Sequence, residues 1–182
     1  MANKEKYTKD YILDSGLNFV EEYGIENLNA RNFAKYMNVS TQPIFRNYTN
    51  MNELKEEIFL KAKKDYISNI IENIDENEYL LSMLYLIIKF AKNHVNKYNA
   101  IFYSEFSASR SVDEIISSKW NEKIVKRIME DYNLSIEESQ NLYRDIRFYT
   151  HGIAMQVSSE KVKISDIEIK ELLKNMLNKL LK

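Results

Sequence analysis

Residues Asn29–Tyr48 read NARNFAKYMNVSTQPIFRNY, two short segments joined by the turn Met37-Asn38-Val39-Ser40. Asn29 can offer its side-chain oxygen to the free N–H groups of a helix that begins at Ala30. In the turn, Asn38 tolerates positive φ better than most residues, and Ser40 can cap the helix that follows. That helix, Thr41-Gln-Pro-Ile-Phe-Arg-Asn47, is too short to fold alone and needs Ile44, Phe45 and Tyr48 to dock it. Pro43 falls in its first turn, where a missing N–H costs little, and restricts Gln42 before it. Thr41, Gln42, Arg46 and Asn47 are then left facing outward, with donors and acceptors suited to base edges or phosphates. From Asn27 to Asn52 there is no acidic residue, while Arg31, Lys35 and Arg46 are present. This is the grammar of a helix-turn-helix, a device that also serves as a polar surface helix in an ordinary bundle.

Upstream, Ile12, Gly16 and Val20 recur at intervals of four, and Gly24 is suited to the positive-φ position that stops a helix. Downstream, a capping residue with Glu three positions later recurs at Asn50–Glu53, Asp75–Glu78, Ser111–Glu114, Ser135–Glu138 and Ser165–Glu168. Each pair can satisfy two orphan backbone N–H groups reciprocally and opens an apolar periodic run. The pattern predicts helices near 7–23, 30–37, 41–47, 51–74, 78–96, 98–108, 112–131, 136–158 and 166–181. The expected architecture is all-α, about nine helices: a small three-helix unit over 1–49 and a larger helical bundle over 50–182.

The composition agrees. Three glycines and one proline in 182 residues are far below the usual share of roughly 12%, so many-stranded folds lack their turn chemistry. No cysteine is present and only His94 and His151 among histidines, which excludes disulfides, thiol catalysis and thiolate zinc sites, and no cofactor or metal is expected. The polar opening MANKEKYTKD is unlike a secretory signal. The longest uncharged apolar stretch, Tyr79–Ile88, is about half a membrane span. A cytoplasmic protein is expected. An enzyme is not, for there is no Gly-rich phosphate loop, nucleophile motif or isolated carboxylate pair.

Ile12–Gly24, Asn29–Ala34, Val39–Tyr48 and Asn50–Leu54 together resemble the N-terminal domain of TetR-family transcriptional regulators, over about 45 residues without a gap. The resemblance implies an all-helical homodimer that places its third helices in successive major grooves of a palindromic operator, and a small-molecule effector that alters their separation. By position, Asn29 stands where a Thr usually caps the second helix and touches phosphate, and Arg31 keeps that helix's basic residue. Ser40, Thr41, Gln42 and Pro43 fall at the start of the reading helix, with Arg46 and Asn47 at base or backbone positions. Phe45 replaces a Tyr whose hydroxyl meets phosphate, Tyr48 closes the motif, and Lys55 is the nearest cation on the fourth helix because Thr49 and Met51 replace the usual lysines. Lys4, Lys6 and Lys9 are candidates for an N-terminal arm.

In the C-terminal half, aromatic and Met side chains suit either a core or an adaptable apolar pocket. His94, Phe102, Tyr103, Phe106, Trp120, Phe148 and His151 are the candidate lining for a hydrophobic or aromatic effector. The last helix has an apolar arc too broad for one neighbour. The resemblance assigns Tyr143, Ile146, Thr150, Ala154, Val157, Leu173, Met176, Leu177 and Leu180 to a homodimer interface; the alternative is a terminal helix that covers its own core. The functional expectation is a repressor relieved by its effector. The competing one is a dimeric helical interaction or ligand-sensing module with weak or lost DNA binding.

Overall fold

The computed structural model describes residues 7–159 and 161–182, so the arm residues Lys4 and Lys6 lie outside the described residues. Among the described residues there are ten α-helices, one 3-10 turn and no strand. They are α1 (Lys9–Tyr23), α2 (Ala30–Tyr36), α3 (Gln42–Asn47), α4 (Met51–Asn73), α5 (Tyr79–Asn93), α6 (Val95–Tyr103), α7 (Val112–Ile116), α8 (Lys119–Tyr132), α9 (Ile136–Ser158) and α10 (Asp166–Leu180). The 3-10 turn, Glu76–Glu78, precedes α5.

The caps form much as the residues require. Reciprocal capping boxes close at Ser111/Glu114, Ser135/Glu138 and Ser165/Glu168. At α4, Asn50 Oδ1 accepts from Glu53 N at 3.0 Å, while the Glu53 carboxylate reaches back to Thr49 N at 2.7 Å. Asp75 behaves differently: its side chain accepts from Asn77 N, which tightens the chain into the 3-10 turn, and α5 starts only at Tyr79.

Serines account for the other departures. The expected helix 112–131 breaks into α7 and α8 at Ser117-Ser118, where Ser117 Oγ donates to Asp113 O at 2.7 Å and Ser118 is extended. Such side-chain bonds offer the backbone an alternative to the helical ladder. The expected helix 98–108 becomes α6, which ends at Tyr103 because Ser104 is extended, donates to Ala100 O at 2.6 Å and accepts from Phe106 N.

By packing, the chain forms two compact units: the described residues up to Asn69 with His94–Ser107, and Ile70–Asn93 with Ala108–Lys182. The first therefore extends past residue 49 and includes α6. Its core contains Ile12, Val20, Phe33, Ile44, Leu54, Ile58 and Tyr98, all essentially inaccessible. At Gly16 any larger residue would place its Cβ 2.5 Å from Ile58 Cδ1, so the Ile58 side chain of α4 packs directly over the glycine of α1. In the second unit α5 packs on α9 and α10, and α8 packs on α9. Leu84, Ile88, Ile128, Ile146, Ala154 and Leu173 form its centre.

Candidate nucleic-acid interface

The turn before α3 follows from one residue. Asn38 adopts φ +55°, and the reversal lets Val39 N donate to Ala34 O at 2.9 Å and Asn38 N donate to Lys35 O at 3.1 Å. This pair of bonds satisfies the carbonyls that α2 leaves open at its end and turns the chain into α3. At the other end of α2, Asn29 caps as expected, with Oδ1 accepting from Asn32 N at 2.9 Å. Ser40 Oγ accepts from Gln42 N at 3.4 Å, and Thr41 makes no side-chain cap.

Two residues dock α3. Ile44 is fully buried, and Tyr48 is 2% exposed with its hydroxyl donating to Glu57 Oε2 at 3.1 Å. Burial, reinforced by Glu57, pushes the Tyr48 hydroxyl up, so it stays protonated and a donor. Lys9, expected in an arm, lies 5.0 Å over the Tyr48 ring and pairs with Glu57. Asn47 Nδ2 donates to Pro43 O at 2.9 Å and to Tyr7 O at 3.2 Å, tying the end of α3 to the chain before α1.

These contacts correct three expectations. The side chain of Tyr48 is a docking group and is withdrawn from any external partner. The Asn47 Nδ2 donors are engaged inside the unit. Phe45 does not dock the helix, because it is 47% exposed. What α3 presents outward is Thr41, Gln42, Phe45 and Arg46, with Ser40 before them and half-buried Pro43 among them. Arg46 and Arg31 are exposed and make no hydrogen bond or ion pair among the described residues. The six-residue helix, docked by Ile44 and Tyr48, thus leaves the side chains of Thr41, Gln42 and Arg46 exposed and unpaired among the described residues.

Lys55 is half-buried on α4 and lines an open cavity of about 530 Å³ with Glu26, Tyr103, Glu105 and Phe106. The cavity thus brings a candidate DNA cation together with two of the expected effector-lining residues. The other five are not among its lining residues. Phe102 is packed against Tyr98 and Tyr66, at 4.6 and 5.5 Å between centroids. His94 Nδ1 lies 2.7 Å from Glu21 Oε1, tying the start of α6 to α1. Trp120, Phe148 and His151 belong to the second unit: Trp120 is half-buried, Phe148 is 52% exposed, and burial lowers His151 to a pKa of about 3.

The expected interface also needs correction. Tyr143, Ile146, Thr150, Ala154, Val157, Leu173 and Leu177 are buried within this one chain, and Met176 and Leu180 are half-buried. Those on α9, a helix packed against α5 and α8, and those on α10, packed against α5 and α9, are thus covered by the chain's own helices. Tyr143 donates to Asn121 Oδ1 on α8 at 2.7 Å. The exposed apolar side of α9 and α10 is a second stripe carrying Phe148, Met155 and Leu172. Beside it lies a groove of about 410 Å³ lined by residues including Tyr149, Gly152, Val162 and Leu172. The signal was present in the sequence as a second set of apolar positions on α9, offset from the first.

No helix among the described residues is long and apolar enough to cross a membrane. No protein-family model matches the chain. No curated protein matches it either. Among solved structures, the chain is similar to the crystal structure of a Pseudomonas aeruginosa PAO1 protein provisionally named a transcriptional regulator. The TM-score is 0.60 at 9% identity, over 95% of this chain and 89% of that one. At that identity the likeness is one of fold, and the fold the two share is all-helical.

Proposed function

We propose that the protein is a DNA-binding transcriptional regulator of the TetR family, a homodimeric repressor whose grip on a palindromic operator is released by a small hydrophobic or aromatic effector. The observation that carries this reading is α3: a helix docked by Ile44 and Tyr48 that turns Thr41, Gln42 and Arg46 outward without internal partners. Arg31 on α2 supplies the phosphate anchor. The fold shared with a protein provisionally named a regulator supports the same reading. No enzymatic role is proposed.

The homodimer is proposed through the outward stripe rather than the buried one. Phe148 and Met155 project beside a groove at Gly152, where an added Cβ would meet nothing within 4 Å. A two-fold interface requires a face that can meet its own copy, and the proposal is that Phe148 and Met155 of one protomer seat on this groove of the other.

Selection of bound duplexes from a random double-stranded DNA library, with the protein's mass in solution measured in parallel, tests the reading. Enrichment of a palindrome by a species of twice 21.7 kDa is expected. A stable dimer that enriches no sequence at low or moderate salt overturns the DNA-reading assignment.

A further inference from the structure

The first unit holds a second cavity, away from α3 in sequence, which the reading above does not use. It has a volume of about 660 Å³ and is lined by Phe19, Tyr23, Asn27, Asn32, Lys35 and Tyr36. That size is within the range of small-molecule sites. Phe19 is 4% exposed and forms the floor, with Tyr36 edge-on to it at 5.3 Å and Tyr23 tilted against it at 5.0 Å. The two tyrosines meet each other edge to face at 6.0 Å, yet remain 46% and 38% exposed. Ring surface is therefore held in fixed orientation and left open to solvent.

The polar rim is equally fixed. Asn27 Nδ2 donates to Tyr23 O at 2.6 Å, and Asn32 Nδ2 donates to Asn27 O at 3.0 Å, so both carboxamides are locked by backbone carbonyls before any ligand arrives. A site ordered in advance loses less entropy on binding. The only charged group on the lining is the Lys35 ammonium, which makes no ion pair among the described residues. The Tyr23 hydroxyl is engaged by the Glu22 carboxylate, which lies outside the lining and keeps that hydroxyl protonated. A ligand here meets aromatic faces, fixed amide groups and the Lys35 ammonium, with the Glu22 carboxylate held on the Tyr23 hydroxyl.

We propose that this cleft between α1 and α2 binds a planar aromatic anion, a carboxylate carried on one or two rings. The rings stack on the open tyrosine surface, and the carboxylate takes a charge-assisted hydrogen bond from Lys35. A neutral ring compound forfeits the second contact, and an aromatic amine meets like charge. None of the lining residues belongs to α3, and the test needs no DNA.

Three probes with the same rings separate these contributions: 1-naphthoate, 1-naphthalenemethanol and 1-naphthylmethylamine. Isothermal titration of the full chain at low ionic strength is expected to show naphthoate binding one-to-one, at least about tenfold tighter than the alcohol, with the amine weakest. Lys35→Gln, at an exposed position without internal partners, is expected to remove that preference while leaving the affinity for the alcohol unchanged. Amide shifts on adding naphthoate to labelled protein should centre on residues 19–36. No binding at millimolar probe, equal affinity for all three, a preference that survives Lys35→Gln, or shifts centred elsewhere would each overturn the proposal.

Discussion

Replacing Arg46 by alanine separates reading from folding. Arg46 is exposed on α3 and has no hydrogen bond or ion pair among the described residues. The folded protein therefore loses nothing when the guanidinium goes. Surface changes of this kind stay within about 0.5 kcal/mol, a shift in melting temperature of no more than about 2 °C for a chain this size. Binding is another matter. A good side-chain contact to a base edge contributes about 1–3 kcal/mol, and a dimer on a palindrome makes it twice. The sum, about 2–6 kcal/mol, corresponds to a loss of roughly thirtyfold to twenty-thousandfold in affinity. Fluorescence anisotropy on the selected palindrome, with thermal melting of the same preparation, reads both quantities. Ile44→Ala supplies the contrast: its side chain is fully buried, so it should lower stability by about 2–5 kcal/mol and weaken binding only through the lost helix. Unchanged affinity for Arg46→Ala on the preferred site would refute the placement of the reading surface.

Four further outcomes are expected. Affinity for the palindrome should fall with salt at a log–log slope of about −4, from Arg31 and Arg46 of each protomer, and a slope near −10 would contradict this count of cations. Phe148→Glu combined with Met155→Glu should convert the dimer to a 21.7 kDa monomer by light scattering without loss of helicity, whereas a dimer that persists would place the interface elsewhere. Tyr143→Phe removes the donor to Asn121 Oδ1 and leaves a buried acceptor unmatched, a cost of about 1–3 kcal/mol visible as a melting temperature lower by several degrees. Because burial lowers His151 to about 3 in the folded chain, the unfolded chain takes up a proton first as pH falls through the ordinary value near 6.5. Stability from this group is thus complete above 6.5 and declines toward pH 3 by up to about 1.4 kcal/mol per unit. Urea midpoints at pH 7, 6 and 5 should fall less for His151→Gln than for the parent, and parallel curves would show the imidazole to be solvated.

Local chemistry made the first unit legible. A cap needs an oxygen at one position and a turn needs a residue that accepts positive φ, so Asn29, Gly24 and Asn38 could be read one residue at a time. The same holds for the three serine capping boxes. Where two local interactions competed, the prediction slipped. Ser104 and Ser117 turn their hydroxyls back onto carbonyls four residues earlier, and these bonds stop helices that apolar spacing alone would have continued.

The larger errors concern what each face meets, a question that periodicity does not pose. Hydrophobicity alone assigns Phe45 to the docking of α3, yet Ile44 and Tyr48 already fill that role at 0% and 2% exposure, and a six-residue helix has no third inward position. On α9 the apolar positions form two stripes rather than one. The stripe through Tyr143, Ile146, Thr150, Ala154 and Val157 has the more regular spacing and reads as a seam for another helix, which it is. The helices it meets are α5 and α8 of the same chain, and α5 is buried along most of its length because α10 covers it as well. With the first stripe covered by those neighbours, the apolar surface α9 leaves exposed is the one carrying Phe148 and Met155, and it is the face on which the dimer is proposed. A dimer built on that stripe would cover Phe148 and Met155, two turns apart on one face of α9 and about half exposed in the single chain.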